Sequence, residues 1–195
     1  MSDQLQGKRI AFLVANEGVE QVELTEPLLA LGRAGAQVDL LAPEDRRIEA
    51  FNQLERGDSF SPTATVAKAD AGDYDGLVIP GGVANSDRLR TEEDAVEFTH
   101  AYFETGNPIG VICHGPWILI EAGVVSGRTL TSWPSLQTDL RNAGARWVDE
   151  EVRVDRRLIS SRKPADLEAF SAMIVKEFAA AGASTGGRKN LQEVR

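Results

Sequence analysis

Ile109-Gly110-Val111-Ile112-Cys113-His114-Gly115-Pro116 is the stretch from which the rest of the chain is read. Four apolar or small residues run without interruption, as in a strand buried on both faces. They lead into a nucleophilic side chain, a glycine that permits close backbone approach, and a proline suited to opening a helix. A strand that ends on a nucleophile and turns at once into a helix follows the logic of the nucleophile elbow, which stands the reactive atom clear of the sheet. The departure is at position minus two, where Val111 stands and the serine-hydrolase elbow has glycine. A thiol at a helix N-terminus feels the positive end of the dipole and unpaired N–H donors, and both favour thiolate. The same donors suit an oxyanion. A plainer reading stays open, with Cys113 as a small buried hydrophobe closing a strand.

Working outward, short apolar runs alternate with longer amphipathic stretches, the pattern of an α/β domain with a mostly parallel sheet. Ile10 to Ala15, Val38 to Ala42 and Tyr74 to Ile79 read as core strands before Ile109–Ile112. Helices are expected over 22–34, 92–105, 116–122, 135–143 and 164–181, the first closed by Gly35 and the second by Gly106-Asn107-Pro108. Residues 44–73 are more polar, and the turns at Gly57-Asp58 and Ser61-Pro62 suggest short antiparallel strands. Further strands are expected over 128–131, 145–148, 152–154 and 158–160. The organisation is one domain over 1–181, followed by a glycine-rich, polar stretch at 182–195 read as a flexible tail.

The net charge of −9 argues against nucleic acid or an anionic membrane as the partner. No apolar run is long enough to span a bilayer, and the first residues lack the order of a signal peptide. One cysteine leaves no internal disulfide and fits a reducing cytoplasm. With one cysteine and two histidines, a metal site is set aside, and no cofactor is expected.

Pro80-Gly81-Gly82, Val111 to Pro116, Ala122-Gly123-Val124, Gly127-Arg128, Asn142-Ala143-Gly144 and Ser160-Ser161-Arg162 with Pro164 and Asp166-Leu167 together resemble the PfpI family of intracellular proteases and stress proteins. That family lies in the DJ-one/PfpI superfamily, among the glutamine-amidotransferase-like folds. The resemblance covers residues 8 to 180 and implies a flavodoxin-like three-layer sandwich, with helices on both faces of the sheet and an active site near a subunit interface. It implies Cys113 and His114 as a catalytic pair, with Asp87 of a neighbouring subunit as the acid that orients the imidazole. The segment after Gly82 is one residue longer than the family pattern, and Asp87 also reads as a solvated or capping aspartate.

Glu17, Glu20, Glu23 and Glu26 crowd the end of the first strand, where acids ordinarily complement a helix dipole. The resemblance singles out Glu23 to hydrogen-bond the sulfur, which requires a raised pKa beside a thiolate; Glu20 is the second choice. Backbone N–H groups at Gly82 and His114 are the expected oxyanion donors. Trp117 and Trp133 either wall the pocket or pack in the core, Arg162 is expected to pair with Asp166 or another acid, and His100 sits away from any turn.

The resemblance implies a stress-related cysteine hydrolase, either a peptidase or a glyoxalase- or deglycase-like enzyme, acting on a peptide or small carbonyl substrate in a homo-oligomer. The alternative is a non-enzymatic sensor or protective protein in which Cys113 is oxidised. Glutamine amidotransfer fails because its histidine lies downstream of the cysteine, and no histidine follows His114.

Overall fold

A computed structural model describes residues 3–181; the tail expected over 182–195 lies outside the described residues. The chain runs β1 (Arg9–Leu13), β2 (Glu17–Glu20), α1 (Gln21–Arg33), β3 (Gln37–Ala42), β4 (Ile48–Asn52), β5 (Glu55–Phe60), β6 (Ala64–Thr65) and β7 (Gly76–Ile79). It continues through α2 (Val83–Leu89), α3 (Glu93–Glu104), β8 (Ile109–Ile112), α4 (Pro116–Glu121), β9 (Thr129–Leu130), α5 (Gln137–Asn142), β10 (Arg146–Trp147), β11 (Val152–Asp155), β12 (Leu158–Ser161) and α6 (Leu167–Ala180).

Seven strands form the central sheet in the order β11-β12-β8-β7-β1-β3-β6, parallel throughout except for β11 at one edge. Strands β7 and β8, and β1 after Arg9, are apolar or small in every position because both faces are covered. In β1, Ile10 and Phe12 face α1 and α6 alongside Leu24, Leu31, Phe170 and Phe178, whereas Ala11 and Leu13 face the layer that holds Phe98, Tyr102 and Ile118. This alternation with period two builds two hydrophobic layers from one strand, giving the three-layer α/β sandwich.

A smaller sheet, β2-β4-β5, accounts for much of the polar region at 44–73. There β4 and β5 form the expected antiparallel pair, while β2 joins β4 in parallel. Strand β2 and helix α2 are the elements that local pattern does not announce. Glu17–Glu20 is extended because a partner about thirty residues away completes its ladder, and α2 is a single short helix whose N-cap, Gly82, has φ 92 and no capping side chain. Both sit beside the carboxyl ends of β1, β7 and β8, where an open α/β sheet places its crevice. Among the described residues, no helix is long and apolar enough to cross a membrane.

Candidate active site

Cys113 follows the last residue of β8 with φ 61, a left-handed conformation uncommon for a residue with a Cβ. The surroundings hold it there. Its N–H donates to the Ser161 carbonyl at 3.1 Å, its own carbonyl accepts from the Trp133 N–H at 2.9 Å, and the Gly115 N–H closes the turn on the Ile112 carbonyl at 2.9 Å. A Cβ on Gly115 would lie 2.7 Å from the Ile79 carbonyl oxygen and 2.8 Å from Val111, so the elbow needs a bare backbone at that position. Backbone strain of this kind, held by hydrogen bonds on three sides, is what functional turns store.

His114 reaches back to the sulfur, with Nδ1 3.2 Å from Cys113 Sγ. Burial pushes the imidazole below its ordinary pKa, so the ring is neutral near pH 7 and Nδ1 can accept a proton. The ring stacks on Trp133 with centroids 5.8 Å apart, meets Trp117 edge-on at 5.3 Å, and places Nε2 3.5 Å from Ser135 Oγ. Both tryptophans therefore wall the site. Ser135 is a contact that the sequence did not suggest, because Trp133-Pro134-Ser135 lies about twenty residues on and carries no motif of its own.

Glu23 enters from the first turn of α1 and is wholly buried. Pro27, four residues later, has no N–H to donate to the Glu23 carbonyl, so the helix ladder is open at this turn. One carboxyl oxygen accepts from the Gly81 N–H at 3.0 Å; the other, Oε1, is buried without a partner. Burial, opposed in part by the Cys113 thiol, pushes the Glu23 pKa up to about 8, so the group is protonated at neutral pH. Burial also pushes the thiol up, followed by the charge and hydrogen bonding of Glu23, while the Gly82 and His114 N–H groups pull it down. The part due to the Glu23 charge disappears while that carboxyl holds its proton. No hydrogen bond of good geometry yet joins Glu23 to the sulfur, but the two groups lie close enough to perturb one another.

Between them runs the Pro80-Gly81-Gly82 turn. A Cβ on Gly81 would lie 2.5 Å from Glu23 Oε2, 2.6 Å from Cys113 Cβ and 3.0 Å from the His114 nitrogen, so this glycine sits where carboxyl, thiol and imidazole backbone converge. Asn85, fully buried in α2, anchors the turn. Its Oδ1 accepts from the Ala15 N–H at 2.7 Å, and its Nδ2 donates to the Pro80 and Gly81 carbonyls at 3.2 and 3.0 Å. The sequence offered no sign of this residue, because a mid-helix asparagine looks the same whether it faces solvent or a buried turn.

Residues 8–177 match the model of the DJ-1/PfpI family. The chain belongs to the DJ-1/PfpI family. Similar curated relatives include Deglycase PH1704 of Pyrococcus horikoshii, 42% identical over 168 residues that make up 86% of this chain and 98% of the relative. Deglycase PfpI of Pyrococcus furiosus is 41% identical over the same shares of each chain. Among solved structures, a two-domain protein from Anabaena variabilis with DJ-1/ThiJ/PfpI-like and ferritin-like domains superposes with a TM-score of 0.83 at 31% identity. That match covers 95% of this chain and 52% of the other, so this chain spans about half of that longer protein.

Within this DJ-1/PfpI chain, two expectations need amendment. Glu20 does not face the thiol; its carboxylate accepts from the Gln53 N–H at the tip of the β4–β5 hairpin, at 3.1 Å. The argument from the helix N-terminus for an easily ionised thiol is outweighed by burial, since α4 has only six residues and the thiol is enclosed. His114 approaches Cys113 within one chain, although the side chains of adjacent residues ordinarily point apart. Asp87 is exposed on α2 and pairs with Arg90 at 2.7 Å; no contact joins it to His114 of its own chain among the described residues. Arg90 in turn lies 4.8 Å over the Trp117 ring. Arg162 pairs with Asp166 at 2.8 Å and Asp149 at 2.7 Å, as a structural ion pair would. His100 rests its Nδ1 3.0 Å from the Ala122 carbonyl, away from the site.

Proposed function

We propose that this chain is a cysteine-dependent hydrolase of the PfpI type that removes carbonyl-derived adducts from amines. The observation that carries the reading is Cys113 Sγ 3.2 Å from a neutral His114 Nδ1, on a strained elbow beside a protonated Glu23. The deglycase names of the two archaeal relatives support this choice of substrate over a peptide amide. Sulfur forms a bond to the electrophilic carbon as the S–H proton passes to His114 Nδ1. The bond from that carbon to the amine breaks, and the amine leaves with the proton. The hemithioacetal so formed isomerises through an enediol, its carbon rising to the thioester level as the adjacent ketone is reduced to an alcohol. Water then hydrolyses the thioester, releasing a 2-hydroxy acid and restoring the thiol. The Gly82 and His114 N–H groups, already turned toward the sulfur, stabilise charge on the neighbouring oxygen.

Asp87 enters this proposal from outside its own chain. Exposed, and making no direct contact with His114 of its own chain among the described residues, Asp87 is free to serve as the acid that completes the site of a neighbouring subunit in a homo-oligomer. In a liquid-chromatography assay of amine release from a methylglyoxal-treated lysine peptide, Cys113→Ser is expected to be inactive and Asp87→Ala strongly impaired. Mixed oligomers of these two variants should recover activity, because one hybrid site regains both groups. A fully active Cys113→Ser chain overturns the hydrolase, and an active monomer overturns the shared site.

A second reading rests on the unpartnered Glu23 Oε1. Hydrogen peroxide would convert the thiol to sulfenic and then sulfinic acid, with water leaving at each step, and a protonated Glu23 would donate to the new oxygen. Stable sulfinate without turnover on any adduct would favour this sensor role.

A further inference from the structure

The end of β8 remote from Cys113 opens on a different chemistry. A small open surface cleft lies between Phe103, Gly106 and three arginines, Arg128, Arg156 and Arg157. It begins at Ile109 and Leu158, the first residues of β8 and β12, so the four-residue span of β8 separates it from Cys113 by about 13 Å. No acid lines it, in a chain whose net charge is −9.

The guanidinium groups are held in place by neutral oxygens. Arg128 stacks 4.6 Å over Phe103 and donates to the Asp155 and Arg156 carbonyls at 3.1 Å. Arg157 donates to the Gly106 carbonyl at 3.2 Å, and Arg156 to the Gly127 carbonyl at 2.8 Å. The only ion pair that these three make among the described residues is Arg156 with Asp155, at 3.0 Å. Three fixed cations against one carboxylate leave two positive charges and several unused N–H donors around one concavity. Burial, and then the charge of Arg156, push the Arg128 pKa down, so the group already carries a cost of proximity.

The turn that delivers two of these arginines is itself strained. Asp155 pairs with Leu158 across the β11–β12 hairpin, which leaves a two-residue loop, and both loop residues have positive φ, Arg156 at 48 and Arg157 at 70. A loop of this kind favours Asn-Gly, residues that enter the left-handed region at little cost. Two arginines there sacrifice turn stability and bring two like charges together, which points to a use for their side chains.

We propose that this cleft binds a phosphate-type dianion, carried by inorganic phosphate or by a small phosphomonoester, at a site separate from Cys113. Bidentate guanidinium groups suit tetrahedral oxyanions, and two net positive charges match a dianion.

The test is calorimetric titration and thermal melting of the full chain at constant ionic strength, with sodium phosphate or glycerol phosphate replacing chloride. Saturable binding with a rise in melting temperature is expected for the parent and for Cys113→Ser. Tighter binding of glycerol phosphate would assign the site to a phosphomonoester, and tighter binding of phosphate to the free anion. The double variant Arg156→Asn/Arg157→Gly suits the turn, so it should melt higher than the parent in chloride while losing the phosphate-dependent shift. Arg128→Met keeps the packing on Phe103 and should bind at least about tenfold more weakly. Absence of saturable binding by either anion overturns the proposal, as does binding that survives in both arginine variants or vanishes in Cys113→Ser.

Discussion

Replacing Glu23 with glutamine should change how stability depends on pH, and the size of the change follows from the burial of one carboxyl. In the folded chain Glu23 titrates at about 8, raised from 4.5 chiefly by burial. Below pH 4.5 folded and unfolded chains both hold the proton. Between 4.5 and about 8 the unfolded chain releases it while the folded chain keeps it, so the folded state binds more protons and stability falls as pH rises. Above about 8 both forms are ionised and the penalty is complete. At about 1.4 kcal/mol per pH unit, the full loss is on the order of 5 kcal/mol, of which about 3 kcal/mol falls between pH 5 and 7. Glutamine cannot ionise, yet its carbonyl oxygen can still accept from the Gly81 N–H. Urea unfolding of parent and Glu23→Gln from pH 5 to 7 should show the variant gaining on the parent by about 3 kcal/mol as pH rises. Ionisation of the unfolded thiol enters both proteins alike and cancels in the difference. A difference that stays flat across this range would refute the buried, protonated carboxyl.

Other perturbations bear on the same site. Gly81→Ala would set a Cβ 2.5 Å from Glu23 Oε2 and 2.6 Å from Cys113 Cβ, neither of which can swing away freely. Stability should fall by about 1–3 kcal/mol and adduct removal by more than about tenfold, checked by melts and amine release. Asn85→Leu would leave the Ala15 N–H and the Pro80 carbonyl unpaired in the interior, and the Gly81 carbonyl with only a long bond from the Glu20 N–H at 3.4 Å. A loss of about 2–4 kcal/mol is expected in urea melts, together with an altered pH profile of Cys113 alkylation as the Gly82 N–H moves off the sulfur. His114→Gln should depress turnover and also slow alkylation by small reagents near pH 7, because the imidazole is the base within reach of a thiol that burial keeps protonated; paired rate measurements at one pH compare the two losses.

The amino-acid order alone determined most of the architecture. Uninterrupted apolar runs such as Ile109–Ile112 can be satisfied only between two helical layers, and Cys113-His114-Gly115-Pro116 carries the elbow in its residue types, because proline starts a helix and glycine admits close packing. Family resemblance added Glu23 to the thiol, and α1 delivers it there. Only tertiary structure decided the rest. Glu17–Glu20 becomes a strand through a partner at Glu49–Phe51, and Asn85 and Ser135 gain meaning through contacts with distant backbone and with His114. The thiol's acidity reversed for the same reason. A helix terminus can be read from neighbouring residues, whereas burial is a property of everything packed around the sulfur, and burial is the larger effect.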